Sequence, residues 1–315
     1  MRRREDFLRV QGNGTVTTRT HDALALFQKE FFEHARIFQK TFLDVQAAFG
    51  PPWEAEFDEH LRNLFGSDVE AYRSAIRGYS RFAIDAMRLQ RIFNRKKKYE
   101  DQSYQEAYEH VYMNPDYMMN LYLPGIFISH FLWRHHYRQL QFYKQKFLPL
   151  LDKVTDRRFY EVGTGTGFYT VQIYRHEPRF HGYGIDISPH SRQFTLNNIR
   201  GWGFQDRFTS MDTNIINAGL EPFDVIQCIE VLEHLSDPQL FLDHLRKLLR
   251  PGGCGFITAA LTAPNADHIY LYWNPDDVIR QLEQAGFTVG DYVEELAYEA
   301  QGEEIVPKVA AFVVS

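Results

Sequence analysis

The chain has 315 residues, with 35 Lys plus Arg against 41 Asp plus Glu and a formal charge of −6. That length admits two domains and a sizeable core. Hydrophobic residues at 44% and charged residues at 24% exclude a disordered chain, and the acidic balance argues against a protein that lives on nucleic-acid phosphate. Only Cys228 and Cys254 are present, too few for a disulfide scaffold, so a reducing, cytoplasmic setting is expected.

Arg2, Arg3 and Arg4 resemble the basic start of a signal peptide, but Glu5 and Asp6 follow where an apolar core should stand, so no signal is read. No apolar run is long enough for a membrane helix; the nearest, Leu121 to Trp133, is cut by Pro124, Gly125 and His130. Residues 22 to about 150 read as helix. Phe27, Phe31, Ala35, Phe38, Phe42, Val45 and Phe49 form one stripe at three- and four-residue steps, stopped by Gly50-Pro51-Pro52. A shorter helix from Trp53 to Phe65 follows, then one from about Asp68 to Asn94 that ends in the basic run Arg95-Lys96-Lys97-Lys98. Cations there suit a solvated helix terminus, with a nucleic-acid contact as the other reading. Ser103 caps a Tyr-rich helix carrying Tyr104, Tyr108 and Tyr112, and a long last helix carries Phe131, Trp133, Tyr137, Phe142 and Phe147. Three histidines on that helix, His130, His135 and His136, read as packing.

From Arg157 the period changes. Arg158–Val162, His181–Asp186, Arg207–Asp212, Phe223–Ile229 and Gly253–Thr258 read as strands, separated for the most part by helical stretches. That alternation means right-handed crossovers and a mainly parallel sheet. Thr288–Leu296 and Val306–Val314, with a short connection, read as a closing antiparallel hairpin.

Glu161-Val162-Gly163-Thr164-Gly165-Thr166-Gly167 follows the first strand and opens a helix, so its glycines let a ligand lie against the main chain. Asp186, nineteen residues past Gly167 at the end of the next strand, is placed to accept hydrogen bonds from both hydroxyls of a ribose. The ligand is then a dinucleotide such as NAD or a lone nucleoside. A dinucleotide loop spaces its glycines one then two residues apart; here the spacing is one and one, and Glu161 precedes. A carboxylate repels a pyrophosphate and attracts an amino group.

Residues 157 to 315 resemble the class I S-adenosylmethionine-dependent methyltransferases. Glu161–Gly167 is similar to that family's first motif, Asp186 to its ribose-binding acid, and Met211-Asp212 to its adenine-side motif. Phe223–Leu235 resembles the fourth strand and its loop, and Leu249-Arg-Pro-Gly-Gly253 the turn into the fifth. The resemblance implies a Rossmann-like doubly wound α/β sheet of order 3-2-1-4-5-7-6 with strand seven antiparallel. It implies S-adenosyl-L-methionine as cofactor, held by Glu161, Gly163, Gly165, Gly167, Asp186, Ile187, Met211, Asp212 and Glu230. Residues 1–150 are then an all-α cap, residues 151–315 the cofactor-binding domain.

Methyl transfer needs an in-line nucleophile, exclusion of water and, where the nucleophile is protonated, a base. His234, at the end of the fourth strand, and His268, in the loop after the fifth, are the catalytic candidates. Glu230-x-x-Glu233-His234 resembles metal sites of ubiquinone O-methyltransferases and small-RNA 2′-O-methyltransferases, which makes Glu230, Glu233 and His234 a possible metal set. His268 is the one further histidine available to it, although its flanking sequence departs from that pattern. A small-molecule acceptor of secondary-metabolite or quinone-like type is expected, with no nucleic-acid or membrane partner and a homodimer or higher homo-oligomer as one possibility. The alternatives are an RNA 2′-O-methyltransferase, an NAD-dependent enzyme and a non-catalytic scaffold.

Overall fold

A computed structural model describes residues 21–100 and 103–315; the Arg2–Arg4 run and its acidic neighbours lie outside the described residues. Seven strands form one sheet in the order β3-β2-β1-β4-β5-β7-β6. They are β1 (Arg158–Val162), β2 (His181–Ile185), β3 (Phe208–Met211), β4 (Phe223–Cys228), β5 (Leu249–Leu261), β6 (Val289–Leu296) and β7 (Lys308–Val314). The pairs β1–β2, β1–β4, β2–β3 and β4–β5 are parallel, while β7 runs antiparallel to both β5 and β6, as the expected topology requires.

Upstream, α1 (Asp22–His34), α2 (Gln39–Phe65) and α3 (Val69–Lys96) pack together. The expected single stripe from Phe27 to Phe49 is broken: Ala35 leaves the helix at φ −130° and a 3₁₀ turn at Arg36–Phe38 reverses the path. The rings of α1 then pack on those of α2, Phe31 tilted and Phe32 edge-on, at 5.6 and 5.5 Å from Phe42. Tyr79 of α3 closes this cluster at 5.8 Å from Phe31. Rings that would have lain along one helix bury one another instead, each worth about 1.5–3 kcal/mol when fully covered. The expected stop at Gly50 is a kink inside α2, where φ is +62° ahead of Pro51 and Pro52.

Ser103 caps the next segment through a reciprocal capping box with Glu106. The Tyr-rich stretch is not one regular helix, however. Short α4 (Tyr104–Ala107) widens into a π turn at Tyr108–Tyr112, and α5 (Pro115–Tyr117) into another at Met118–Tyr122. The expected long last helix is divided at Trp133, whose extended ψ of 120° separates α6 (Leu123–Leu132) from α7 (Arg134–Phe142). A third π turn, Tyr143–Phe147, ends it. His130 therefore stands on α6, and His135 and His136 on α7. His130 and His135 are buried and His136 half-buried; all three are neutral, their pKa values pushed down chiefly by desolvation.

The remaining helices, α8 (Phe168–His176), α9 (Pro189–Gly201), α10 (Pro238–Lys247) and α11 (Pro275–Gln284), cover the sheet. One apolar core runs from α1 through α7 into the sheet face. The Tyr143 hydroxyl crosses that junction to donate to Gln227 of β4 at 2.7 Å, and His130 stacks on Phe168 at 4.1 Å. Among the described residues no helix is long and apolar enough to cross a membrane.

Gly78 of α3 fixes how closely the helices approach: a Cβ there would lie 2.6 Å from the carbonyl oxygen of Asn120. Helix propensity alone gives Gly78→Ala a gain of about 1 kcal/mol, whereas overpacking costs about 1–3 kcal/mol. Urea unfolding is expected to show a net loss; a gain would contradict the contact.

Candidate active site

Parallel strands put their C-terminal ends on one edge, and the candidate residues collect there. The loop after β1 turns through three left-handed glycines, Gly163, Gly165 and Gly167 at φ +77°, +50° and +67°. Two of them also permit close packing: a Cβ on Gly163 would strike Val231 at 2.4 Å, and one on Gly167 would strike Thr195 at 2.8 Å. At Gly165 the Cβ position faces open space, so the main chain there is bare toward a ligand. Asp186, after β2, accepts from the Gly165 N–H at 3.1 Å, the Ser188 N–H at 2.8 Å and the Thr164 hydroxyl at 3.4 Å. Those bonds lock acid and loop together and leave part of the carboxylate's acceptor capacity for a ribose hydroxyl.

Glu161 is 2% exposed, and the Thr170 hydroxyl donates to it. Burial pushes its carboxyl well above the usual range, against the pull of the neighbouring Gln227 side chain. Burial likewise raises Asp186. Ile187 is half-buried beside it. Met211 ends β3, and its carbonyl accepts from the Asp186 N–H at 3.3 Å. Asp212 is exposed, and Arg192 holds both of its oxygens at 2.8–2.9 Å.

The loops after β4 and β5 are stitched to each other. The Glu233 carbonyl accepts from the N–H groups of Ile269 and Tyr270, at 2.8 and 2.9 Å. Glu230 sits at φ +52°, and its carboxylate accepts from the Thr258 hydroxyl at 2.6 Å. Burial, then the nearby Glu233, pushes Glu230 well up. Glu233 is fully buried, neither carboxylate oxygen has a hydrogen-bond partner of ordinary geometry, and burial raises it to about 7.

This stitching brings His234 and His268 together, rings 4.7 Å apart and nearly perpendicular at 87°. It also brings in Asp267, which the sequence reading left without a role. His234 Nδ1 lies 3.2 Å from an Asp267 carboxylate oxygen and 3.1 Å from its carbonyl. The Tyr122 hydroxyl donates to the same carboxylate at 2.7 Å. Burial alone would lower His234, but Asp267 outweighs it and carries the imidazole up to about 10. His268 goes the other way: burial, then the His234 charge, pushes it down to about 3. Its Nδ1 donates to the Ala263 carbonyl at 2.5 Å, which leaves Nε2 as an acceptor.

The metal set also shifts. One ligand atom each from Glu233, His234 and His268 lie within 4.8 Å of one another, whereas Glu230, turned to Thr258, is not in the group. Both imidazoles have an outer partner of the kind that orients metal-bound histidine. Of the tyrosines, Tyr112 packs 6.3 Å from His234 with Tyr122 beside it, while Tyr137 points away to Glu56.

The two adjacent imidazoles are thus set in opposite protonation states. Ring NMR is expected to find His234 cationic past pH 8 and His268 neutral down to pH 5, as their values of about 10 and about 3 require. Asp267→Asn, by removing the charge that raises it, returns His234 toward its ordinary value near 6.5. Both rings titrating near that value in the unaltered protein would contradict the pairing.

Residues 160–254 match a family model described as a methyltransferase domain. A ubiquinone biosynthesis O-methyltransferase of Coxiella burnetii is 28% identical over 93 residues, covering 30% of this chain and 39% of that one. The protein of the same name in Parvibaculum lavamentivorans is 32% identical over 108 residues, covering 32% and 40%. The chain therefore spans about two fifths of the length of these curated relatives. Over nearly its whole length the chain has the fold of PigF, solved with SAH: the TM-score is 0.54 at 13% identity, and 93% of each chain is covered. Residues 160–254 thus match a methyltransferase domain, and the glycine loop and sheet order agree with the class I S-adenosylmethionine-dependent methyltransferase fold.

Proposed function

We propose that this protein transfers a methyl group from S-adenosylmethionine to a small-molecule acceptor, with residues 1–150 as a helical cap and residues 151–315 as the cofactor-binding domain. The observation that carries the reading is a row of acids along one sheet edge, Glu161 and Glu233 buried and Asp186 and Glu230 half-buried. Glu161, Asp186, Glu230 and Glu233 all have carboxyls raised by burial, and none is in an ion pair with a lysine or arginine among the described residues. Such a row of acids favours a cation and disfavours a pyrophosphate. S-adenosylmethionine carries an ammonium and a sulfonium, and it supplies the activated methyl group.

Each residue then has a task. The bare Gly165 main chain and Asp186 hold the nucleoside, and Glu161 and Glu230 face the cationic end. Met211 and Ile187 flank the base; Asp212 contributes by fixing Arg192 rather than by a free carboxylate. Tyr112 and Tyr122 roof the acceptor side and exclude water. Ser188 ties the roof down by donating to the Tyr112 carbonyl at 2.9 Å. His234, already an imidazolium beside Asp267, cannot take a further proton; the neutral His268 Nε2 takes the proton that an acceptor hydroxyl sheds as its oxygen attacks the methyl carbon, and the His234 cation stabilises the negative charge that develops on that oxygen.

A second reading is favoured by one observation, the unpartnered oxygens of Glu233 beside two oriented imidazoles. Glu233, His234 and His268 would hold a divalent ion, which would lower the pKa of a bound acceptor hydroxyl. Two buried free thiols, Cys228 and Cys254, support placement in the cytoplasm. The formal charge of −6 favours a small molecule over RNA.

Calorimetric titration with S-adenosylhomocysteine tests the assignment. Asp186→Asn keeps the side chain's shape and removes its charge, and is expected to weaken binding by at least about tenfold, since charged hydrogen bonds contribute roughly 1.5–3 kcal/mol. Unchanged affinity would remove Asp186 from the site. Repeating the titration with chelator present separates the two readings: weakened binding assigns the metal, and unaltered binding leaves the proton to His268.

A further inference from the structure

Among the described residues only three other than glycine have a positive φ: Lys97, Glu230 and Thr262. Lys97 closes α3, where a left-handed cap is ordinary. Thr262 follows β5, tied by its hydroxyl to the Val306 carbonyl at 2.8 Å. Glu230 stands at the candidate site itself, with φ +52°. A long-chain residue is uncommon in that region, and glycine would occupy it without strain. Strain kept at a site points to a side chain that is needed there.

The register of the sheet shows what holds Glu230 in place. β4 ends at Cys228, opposite Ile257, while β5 runs on to Leu261 with β7 as its partner. Thr258 is thus the first residue of β5 past the end of β4, beside the point where the chain turns out through Glu230. Its buried hydroxyl accepts from the Glu230 N–H at 2.9 Å and donates to the Glu230 Oε1 at 2.6 Å. One hydroxyl therefore fixes both the backbone and the side chain. Valine, equal in shape and at home in a strand, would fix neither.

The carboxylate so held lies beside the glycine loop. β4 is the neighbour of β1, and the next residue, Val231, packs so closely on Gly163 that a Cβ there would strike it at 2.4 Å. Glu230 is half-buried, and the charge of Glu233 opposes its own. His234 answers part of that charge from one side. A phosphate arriving over the loop would be repelled by these acids, and an ammonium attracted.

We propose that Thr258 is a positioning residue: it holds Glu230 in its strained turn so that the carboxylate meets the ammonium group of the methyl donor. The inference rests on the methyltransferase reading. It names the contact by which this chain takes a nucleoside bearing an amino acid rather than one bearing phosphates.

The test is calorimetry on the full chain with S-adenosylhomocysteine and with 5′-methylthioadenosine, the same nucleoside without the ammonium-bearing chain. Thr258→Val is expected to weaken S-adenosylhomocysteine about tenfold, the scale of a charged hydrogen bond, and to leave methylthioadenosine unchanged. Thr258→Ser returns the hydroxyl and should return the affinity. Glu230→Gln keeps the shape and removes the charge. Added to it, Thr258→Val should weaken S-adenosylhomocysteine no further, because two changes acting on one contact do not add. Unchanged affinity in Thr258→Val, equal losses for the two ligands, additive losses in the double variant, or no recovery in Thr258→Ser would each overturn the inference. Should Thr258→Val not fold, Glu230→Gln decides alone: a loss confined to S-adenosylhomocysteine supports the contact, and no loss or an equal loss overturns it. Those failures leave the cofactor reading standing. Failure of the unaltered protein to bind S-adenosylhomocysteine removes that reading and this inference with it.

Discussion

Four acids along one sheet edge, Glu161 and Glu233 buried and Asp186 and Glu230 half-buried, set the terms for everything built around them. Burying an acid is costly unless it is neutralised, bonded or matched by a cation. Glu161 and Glu230 are met in part by the hydroxyls of Thr170 and Thr258, and Asp186 by two main-chain N–H groups. Glu233 has no such partner. A parallel sheet places strand ends together whatever the sequence, but the choice of acids at three of those ends, those of β1, β2 and β4, is specific to a ligand with positive charge. The left-handed glycines follow from the same demand, because a ligand seated against these acids must also touch the main chain between them.

The acceptor side works by the opposite device. Asp267 and His234 form a buried pair that answers its own charge, at the cost of a histidine held protonated well above neutrality. His268, one ring away, is kept neutral by that same charge and by burial. Two imidazoles in contact thereby differ widely in their readiness to hold a proton, one carried up to about 10 and the other down to about 3. The helical layer maintains this difference by supplying Tyr122 to Asp267 and by keeping water from both rings. That explains why so many tyrosines stand in the segment from Tyr104 to Tyr122: an amphipathic ring packs on one side and bonds on the other.

The sheet was legible from residue pattern because each strand is a short apolar run bounded by glycine or acid, and the two-residue and 3.6-residue periods do not mimic each other. The glycine loop and Asp186 were legible because their chemistry is local. Asp267 was not, although it adjoins His268: its partner His234 is 33 residues away, and only the meeting of two loops joins them. For the same reason His268, rather than Glu230, completes the possible metal set. The breaks at Ala35 and Trp133 and the three π turns carry no proline or glycine at the break itself. They arise because aromatic rings bury more surface by facing one another than by lining one continuous helix, which is a property of the packed state.

Calorimetry with S-adenosylmethionine and with NAD, run side by side on the full chain, tests the central claim most directly. A row of buried and half-buried acids requires micromolar binding of the first, with protons released as the acids ionise against the cation, and no binding of the second. Binding of NAD, or S-adenosylmethionine binding with no proton release in buffers of different ionisation heat, would contradict an edge built for a cation.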